Sequence, residues 1–357
     1  MSKLTEAGGD PIMQKKSCAV VLAAGEGKRM KSNCPKVLSE VLFKPMLGWV
    51  LDAVRASSVR DICCVVGYRH EQVEAYLKQL NAGAFSEVPI QHVLQSEQHG
   101  TGHAVMMARS FLEEHQGGQV LILNGDAPFV TAETIDSALQ RHLQSGSSAT
   151  VISAKVENPF GYGRIVRNPK TRLLKSIVEQ KDADQEVQKI REINSGSFWF
   201  CVDDLLGILS EINSNNAQGE YYLTDAIALL LSRGKKADAF LAEDSASVLG
   251  ANDCLQLSQL NTIARERILQ KQREAGISIP CSDGVIIGPD VTIGPYSCIL
   301  PGSILQGTTS VGRNCIIGPN AILHDSQVSD DVKLNSVQVY NRKIAKSDFV
   351  LPYTVLQ

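Results

Sequence analysis

The 357-residue sequence lacks any apolar run approaching the roughly 20 residues that a bilayer-spanning helix needs. Residues 1–16 are polar and contain no apolar signal core, so we expect a disordered leader there and no secretion. The net charge is only −3, and no basic stripe of the kind that binds nucleic acid is present. The sequence therefore argues against a membrane protein, a secreted protein and a nucleic-acid-binding protein.

Cysteine pairs of the C-x-x-C type are missing as well, and the nine cysteines are odd in number. Cys63 and Cys64 lie in an apolar segment, where a thiol acts as a small hydrophobic group. A disulfide framework is therefore not indicated, and the simplest interpretation is a protein of the reducing cytoplasm.

The most distinctive segment that is present reads LAAGEGKRM from Leu22 and is followed by Pro35-Lys36. The apolar run before it is typical of a buried strand, and its glycines allow the backbone to approach a ligand closely. Arg29 and Lys36 place positive charge beside the loop, which suits a polyphosphate. The spacing matches neither the P-loop nor the dinucleotide fingerprint, so we expect phosphate binding of another kind.

Residues 17–252 alternate strand-like and helix-like segments. Strands are predicted over 18–24, 61–66, 89–95 and 119–123, and helices from Pro45, over 70–80 and over 102–114. This alternation predicts an α/β fold of the Rossmann-like kind, a mostly parallel sheet with helices on both faces. Ligands bind such sheets at the carboxyl ends of the strands, where both the glycine loop and Asp126 fall.

Residues 253–276 change character, because one face of a predicted connecting helix carries Leu257, Leu260, Ala264 and Ile268. From Cys281 the pattern changes again, and an apolar residue recurs every six positions, at Ile287, Ile293, Ile299, Leu305, Val311, Ile317 and Leu323. This period predicts a parallel β-helix whose apolar residues point inward. A shifted set, Val328, Leu334 and Tyr340, predicts a last irregular coil.

Together these motifs resemble those of the bacterial bifunctional N-acetylglucosamine-1-phosphate uridyltransferase/glucosamine-1-phosphate acetyltransferase family. The matching segments are LAAGEGKRM with PK, LQSEQHGTGHA, NGDAPF, GYGRIV, IVEQKDA, EINSG, NAQGEYYLTDAI and GANDCLQLSQL. The resemblance implies a nucleotidyltransferase domain at 17–252, a linker helix at 253–276 and a short left-handed β-helix at 277–357. It also implies a cytoplasmic homo-oligomer, with a trimer favoured because flat prism faces pack readily about a three-fold axis. A monomer or a dimer is the alternative if the few coils give too small an interface.

The resemblance also implies a set of site residues. The catalytic residues would be Arg29, Lys36 and Asp126; the nucleotide would bind Leu22, Ala23, Ala24, Gly25, Gln95, Gly100, Thr101 and Gly125; the sugar would bind Gly163, Glu179, Asn194 and Thr224; and Mg²⁺ would bind Asp126 and Asn252. The chemistry of these residue types agrees, because Mg²⁺ prefers oxygen ligands and an amide side chain offers both a donor and an acceptor to a uracil edge.

Several alternatives stay open at this point. Asp253 competes with Asn252 as a metal ligand, and His103 is interpreted as a packing or capping residue rather than a catalytic one. Tyr222 either supports the sugar pocket or belongs to the core. Lys28, which stands where the family usually has Thr, either contacts the triphosphate or points to solvent. Asn124 and Phe129 replace the family's usual Tyr and Leu, which bears on the identity of the sugar.

The implied reaction joins UTP and N-acetylglucosamine-1-phosphate to give UDP-N-acetylglucosamine and pyrophosphate by Mg²⁺-assisted in-line attack, with the protein aligning two anions and neutralising charge. Alternatives are a related transferase with another sugar or nucleotide, a hexapeptide acyltransferase, and a non-catalytic sugar-nucleotide sensor. About three coils are predicted, and their one histidine, His324, is interpreted as a surface residue. We therefore expect no acetyl transfer and no acetyl-CoA site.

Overall fold

The computed structural model describes residues 17–216 and 218–357, so the predicted leader at 1–16 lies outside the described residues. The chain divides into two compact units. The first comprises residues up to Leu38 together with Met46–Asn252, and the second comprises Ser39–Pro45 and Asp253–Gln357. Within the described ranges, no helix combines the length and the apolar character needed to cross a membrane.

Strands and helices alternate through the first unit. The strands up to residue 241 are β1 (Ser17–Ala23), β2 (Glu40–Val41), β3 (Lys44–Pro45), β4 (Asp61–Val66), β5 (Gln91–Leu94), β6 (Gln119–Asn124), β7 (Ala149–Lys155), β8 (Arg164–Arg167), β9 (Leu174–Val178), β10 (Glu192–Cys201) and β11 (Ala237–Leu241). The helices are α1 (Met46–Ala56), α2 (His70–Ala82), α3 (Thr101–Met107), α4 (Arg109–Glu114), α5 (Ala132–Ser145), α6 (Gln185–Gln188), α7 (Val202–Ile208), α8 (Asp225–Ser232) and α9 (Cys254–Glu274). Of these elements, β2, β3 and α9 belong to the second unit.

The main sheet has the strand order β11-β7-β10-β6-β1-β4-β5; β8 also pairs with β10, and β9 pairs with β8. β1 runs parallel to both β4 and β6, whereas β10 is antiparallel to β6 and β7. Alternate residues of β1 enter two different hydrophobic clusters, Cys18 and Val20 in one and Ala19 and Val21 in the other. The strand is thus buried on both faces, as expected for a parallel strand between layers of helices.

The predicted elements differ from the observed ones mainly at their ends. The predicted helix over 102–114 is two helices, α3 and α4, which meet at Ala108. Pro45 does not begin α1, because it pairs with Glu40 in the β2–β3 hairpin and the helix starts one residue later. Neither difference moves the carboxyl ends of β1 and β6, so the glycine loop and Asp126 lie at one edge of the sheet.

In the second unit, the β2–β3 hairpin contacts α9 and the coils. The backbone N–H of Leu42 donates to Asn261 Oδ1 at 2.9 Å, and Lys44 Nζ pairs with Asp290 at 2.8 Å. The carboxylate of Asp253 caps α9 by accepting a hydrogen bond from the backbone N–H of Gln256 at 2.8 Å. Helix α9 therefore has a defined start directly after Asn252.

The remainder of the second unit forms stacked parallel coils. Its strands are β12 (Ile286–Ile287), β13 (Thr292–Ile293), β14 (Cys298–Ile299), β15 (Ile304–Gln306), β16 (Ser310–Val311), β17 (Ile316–Ile317), β18 (Ile322–His324), β19 (Gln327–Val328), β20 (Lys333–Leu334), β21 (Gln338–Tyr340), β22 (Lys343–Ile344) and β23 (Val355–Leu356). They form three sheets, β12-β15-β18-β21-β23, β13-β16-β19-β22 and β14-β17-β20, so more coils stack than the three predicted.

The six-residue register holds to Leu323, and residues such as Leu305 and Ile317 are fully buried in the coil core. Beyond Leu323 the predicted inward position at Tyr340 is wrong, because the adjacent Val339 is buried and Tyr340 is half-buried. The spacing between inward residues shortens to five there, so one fewer residue forms the corner. Several corners have positive φ, a conformation that Asn and Asp tolerate better than most residues, as at Asn314, where φ is 54°.

Candidate functional site

The glycine loop after β1 is held against Lys36. Gly27 has φ 65° and precedes a 3₁₀ turn at Lys28–Met30. A Cβ at Gly27 would lie 2.6 Å from the Cβ of Lys36, so both the backbone angle and the close contact require glycine. The Lys28 side chain is 82% exposed, and its Nζ lies 3.4 Å from Glu26, so Lys28 points to solvent.

Lys36, Asp126 and Asn252 meet at one point although they are far apart in the sequence. Lys36 Nζ forms an ion pair with the Asp126 carboxylate and lies 2.7 Å from Asn252 Oδ1. The two oxygens thus converge on one cation, and the side chains of Lys36 and Asp126 are largely withdrawn from solvent. Asp253, the predicted competitor of Asn252, caps α9 instead.

This donor set fits Mg²⁺. A carboxylate and an amide oxygen are hard ligands, and Mg²⁺ typically takes one or two carboxylates and completes its shell with waters and substrate phosphates. Over residues 17–216 and 218–357, no group of three or more His, Cys, Asp and Glu side chains is arranged to hold a metal.

A cavity of about 340 Å³ in the first unit collects most of the predicted polar residues. Its lining includes Arg29, Thr101, Asp126, Gly163, Glu179, Asn194, Thr224 and Asn252, which were expected from the sequence. The lining does not include Leu22, Ala23, Ala24, Gly25, Lys36, Gln95, Gly100 or Gly125. Lys36 nevertheless reaches the site through its contacts with Asp126 and Asn252.

The backbone groups expected to contact the nucleotide are partly used within the fold. The Leu22 carbonyl accepts a hydrogen bond from the Gly125 N–H at 2.9 Å, and the Ala24 carbonyl accepts one from the Tyr68 N–H at 3.0 Å. Ala23 is buried, whereas Gly25 is exposed and has open space around its Cα. Leu22 thus links β1 to the segment after β6, and Ala24 links the start of the glycine loop to the segment after β4, while Gly25 remains accessible.

The predicted sugar residues form a connected group. Thr224 Oγ1 donates to Glu179 Oε1 at 3.3 Å, and the backbone N–H of Asn194 donates to the Gly163 carbonyl at 2.8 Å. A Cβ at Gly163 would lie 3.1 Å from both carboxylate oxygens of Glu179, which explains the glycine. Burial raises the pKa of Glu179, with the hydrogen bond from Thr224 opposing that rise.

The loop that carries the predicted base-binding residues Gly100 and Thr101, here the base loop, is joined to the segment that carries Thr224, here the sugar segment. The backbone N–H of Gly102 donates to the Tyr221 carbonyl at 2.7 Å, and the Tyr221 N–H donates to the His99 carbonyl at 2.8 Å. Thr101 Oγ1 accepts a hydrogen bond from the Leu223 N–H at 3.1 Å. Gly100 has φ 106°, and a Cβ there would lie 2.7 Å from the Tyr221 carbonyl oxygen. These contacts couple the positions of the base loop and the sugar segment.

Some cavity residues were not identified from the sequence. Tyr162 lines the cavity, and its pKa is raised by burial and by the charge of Asp126. Gly250 also lines it, and a Cβ there would lie 3.0 Å from the Asp126 carbonyl oxygen. Both residues lie inside motifs that the sequence analysis had singled out, Gly-Tyr-Gly and Gly-Ala-Asn. Their place in those motifs is the sequence signal that could have identified them as cavity residues.

Two residues that were noted for other reasons also line the cavity, Asn124 and Tyr222. Asn124 Nδ2 donates to the Ser195 carbonyl at 3.1 Å, and a Cβ at Gly196 would lie 2.4 Å from that nitrogen. The Asn that stands in place of the family's usual Tyr is thus fitted closely to Gly196. Tyr222 is half-buried, so it belongs to the cavity wall rather than to the core.

Comparisons with known proteins agree with this architecture. Residues 18–258 match the sequence model of the nucleotidyl transferase family, and residues 290–325 match that of the bacterial transferase hexapeptide, with its six repeats. These matches confirm the predicted α/β nucleotidyltransferase fold and the hexapeptide β-helix. A putative glucose-1-phosphate thymidylyltransferase from Bacillus anthracis, solved with sucrose, has a TM-score of 0.57 at 19% identity over 70% of this chain and 96% of its own, so it shares the fold.

Curated relatives are more similar in sequence. The bifunctional protein GlmU of Acetivibrio thermocellus is 40% identical over 339 residues, covering 95% of this chain and 71% of the relative. The bifunctional protein GlmU of Caldanaerobacter subterraneus subsp. tengcongensis is 40% identical over 345 residues, covering 95% of this chain and 73% of the relative. With this identity over most of both sequences, and with a nucleotidyl transferase domain followed by hexapeptide repeats, the chain belongs to the GlmU family.

Proposed function

We propose that the protein is a uridylyltransferase that makes UDP-N-acetylglucosamine and pyrophosphate from UTP and N-acetylglucosamine-1-phosphate. Membership of the nucleotidyl transferase family gives the class of reaction. The observation that carries the finer proposal is the shared cavity, whose lining contains cation- and phosphate-binding side chains together with Glu179 and Asn194.

The protein's own residues align and neutralise the two anionic substrates. Lys36 and Arg29 supply fixed positive charge for the triphosphate, and Asp126 and Asn252 would hold Mg²⁺. The metal, when bound, would neutralise charge on the phosphate oxygens. An oxygen of the sugar phosphate attacks the α-phosphorus of UTP, the new O–P bond forms, and the bond to the β-phosphate breaks to release pyrophosphate. Positioning and electrostatic stabilisation account for the catalysis, so no covalent nucleophile is needed.

The sugar would be recognised by complementary hydrogen bonds. The carboxylate of Glu179 accepts from sugar hydroxyls. Asn194 Oδ1 already accepts a hydrogen bond from the backbone N–H of Gly196 at 2.8 Å, so the Nδ2 of Asn194 is the amide atom that donates to the ligand. An acceptor beside a donor suits a sugar that carries both hydroxyl groups and an acetamido group.

Pyrophosphate release across a panel of sugar-1-phosphates and nucleoside triphosphates tests this proposal. We expect the fastest turnover with UTP and N-acetylglucosamine-1-phosphate, and loss of turnover when EDTA removes Mg²⁺. Faster turnover with another pair would favour the related transferase with a different sugar or nucleotide. Absence of turnover with UTP and every sugar-1-phosphate would refute uridylyl transfer.

We also propose that this chain has no acetyltransferase activity, although the relatives are named as bifunctional. His324 is the one histidine of residues 277–357, and its Nε2 lies 3.3 Å from the carboxylate of its neighbour Asp325 at the surface of the coils. An assay with acetyl-CoA and glucosamine-1-phosphate should show no transfer, and detectable transfer would overturn this view. The cytoplasmic location and the homotrimer also remain proposals, and light scattering would test the trimer.

A further inference from the structure

The side-chain amide of Gln95 has only one arrangement that agrees with its neighbours. Gln95 is 3% exposed, and one atom of its amide lies 3.2 Å from the Gly100 carbonyl oxygen and 3.0 Å from His103 Nδ1. A backbone carbonyl can only accept, so the atom facing it is the amide nitrogen. The same nitrogen then donates to His103, which requires an unprotonated Nδ1 and places the ring proton on Nε2.

The amide oxygen of Gln95 is therefore the atom that remains for a ligand. Across residues 17–216 and 218–357, Gln95 Oε1 receives no hydrogen bond, and Arg164 Nε is the one buried side-chain N or O atom without a partner. Oε1 therefore keeps some solvent-accessible surface, although Gln95 as a whole is 3% exposed. The sequence suggested that this amide offers a donor and an acceptor, whereas the structure uses both amide protons internally and leaves the acceptor.

The ring of His103 is itself held in place on α3. Its centroid lies 5.2 Å from that of His99, in an edge-to-face arrangement, and 6.1 Å from that of Tyr221. The backbone of Tyr221 is bonded to the base loop on both sides, through His99 and Gly102. The imidazole thus holds its acceptor nitrogen at a fixed place beside the Gln95 amide.

We propose that His103 is a positioning residue that sets the base specificity of this site by holding the Gln95 amide with its oxygen outward. This inference rests on the proposed uridylyl transfer and deepens it. A fixed acceptor receives a hydrogen bond from the ring N3–H of uracil. Cytosine has an unprotonated nitrogen at that ring position, so the two acceptors would face each other without a hydrogen bond. The site therefore selects nucleotides whose base carries a ring N–H donor.

Three variants of His103 separate positioning from packing. His103→Phe and His103→Leu remove the acceptor nitrogen, and the Phe variant keeps an aromatic ring beside His99 and Tyr221. His103→Asn restores an acceptor, because the Oδ1 of Asn occupies a place similar to that of Nδ1. The ratio of kcat/KM for UTP to that for CTP is measured for each variant, with UTP and CTP binding measured by calorimetry in parallel. His92→Leu is the matched control, because His92 is a half-exposed histidine of β5 that pairs with Glu74.

We expect the UTP-to-CTP ratio to fall about five- to tenfold in the Phe and Leu variants, the size of one neutral hydrogen bond, and to recover in His103→Asn. The control should match the unmodified protein. The positioning role would be overturned if the ratio is unchanged in the Phe and Leu variants, including the case in which activity falls equally with both nucleotides. An Asn variant that behaves like the Leu variant would overturn it as well. So would an unmodified protein that does not discriminate between UTP and CTP.

The test also distinguishes this inference from the proposed function. If the unmodified protein turns over UTP but the ratio does not respond to His103, uridylyl transfer stands and the positioning role fails. If the unmodified protein turns over no UTP, the proposed function fails, and the calorimetric UTP-to-CTP preference of the variants still decides whether His103 orients the amide. Thermal unfolding of each variant identifies any that do not fold. Either His103→Phe or His103→Leu is sufficient for the test if it folds.

Discussion

Glu179 in the first unit and Asp325 in the second show how differently the two units treat a carboxylate. Glu179 lines a cavity, and burial raises its pKa. Asp325 lies in a coil corner, accepts a hydrogen bond from the backbone N–H of Thr308 at 2.8 Å, and has a lowered pKa because of that bond. The first carboxylate carries a desolvation cost and remains available to a ligand, whereas the second is stabilised in its charged form by the neighbouring coil. We infer that the environment of each carboxylate distinguishes a functional role from a structural one.

The glycines of the two units show the same contrast. Gly163 and Gly250 allow polar groups of the site to approach one another, with Glu179 and Asp126 as the neighbours that a Cβ would meet. In the β-helix, a Cβ at Gly294 would lie 2.6 Å from the backbone of Gly312 one coil away. Glycine thus allows the close approach of polar groups in the first unit and the close stacking of coils in the second.

The largest expected effect comes from Asp126→Ala. Loss of this carboxylate removes the proposed metal ligand and leaves Lys36 without its ion-pair partner, so kcat should fall by about 10²–10³-fold or more. The measurement is Mg²⁺-dependent pyrophosphate release, with thermal unfolding as a check on the fold. Asp253→Ala is the matched control, because that carboxylate caps α9 and its loss should cost about 1 kcal/mol of stability while activity is kept. Activity within tenfold of the unmodified protein in Asp126→Ala would contradict the metal assignment.

A core substitution in the coils should change stability instead. Leu305 is fully buried and pairs with Ile287 and Leu323 in the coils on either side. Leu305→Ala should lower the free energy of unfolding of the β-helix by about 2–5 kcal/mol through lost burial and the remaining cavity. Urea unfolding measures this change, and Gln327→Ala at an exposed strand position should shift it by less than about 0.5 kcal/mol. Equal shifts for the two variants would show that the coil interior does not determine the stability of this unit.

A smaller effect concerns the pH dependence of sugar use. Because burial raises the pKa of Glu179, this side chain takes up its proton at a higher pH than an ordinary glutamate as the pH falls. If the ionised form binds the sugar, KM for N-acetylglucosamine-1-phosphate should rise on lowering the pH, with a midpoint above the usual glutamate value of about 4.3. Glu179→Gln should raise KM at neutral pH and abolish this rise, while any titration of the substrate itself persists. An unchanged pH profile in Glu179→Gln would remove Glu179 from sugar binding.

The smallest effect is expected for Lys28. Its side chain is exposed and pairs with Glu26, so Lys28→Ala should change KM for UTP by less than about twofold, as expected for a surface ion pair. Arg29→Ala, at the neighbouring position that lines the cavity, should raise the same KM about tenfold. Equal effects of the two substitutions would contradict the different roles assigned to these adjacent cations.

Much of the fold could be predicted because its signals are local. The β4 strand was predicted at its observed bounds, and the inward residues of the coils follow the six-residue period up to Leu323. The prediction for Tyr340 was wrong because a corner there is one residue shorter, and the sequence has no strong marker for that change. The predicted start of α1 at Pro45 was one residue too early, because a short hairpin takes up that residue.

Periodicity and motifs, which depend on neighbouring residues, were enough to predict the order of the two folds and several of the polar residues that line the cavity. How these residues act together depends on contacts that form only in the folded protein. The tertiary structure brought Lys36, Asp126 and Asn252 to one point, assigned Asp253 to a helix cap and directed Lys28 to solvent. It also set the orientation of the Gln95 amide through Gly100 and His103. Hydrogen bonds and ion pairs depend on distance and direction in space, and chain folding creates both between residues that are far apart in the sequence.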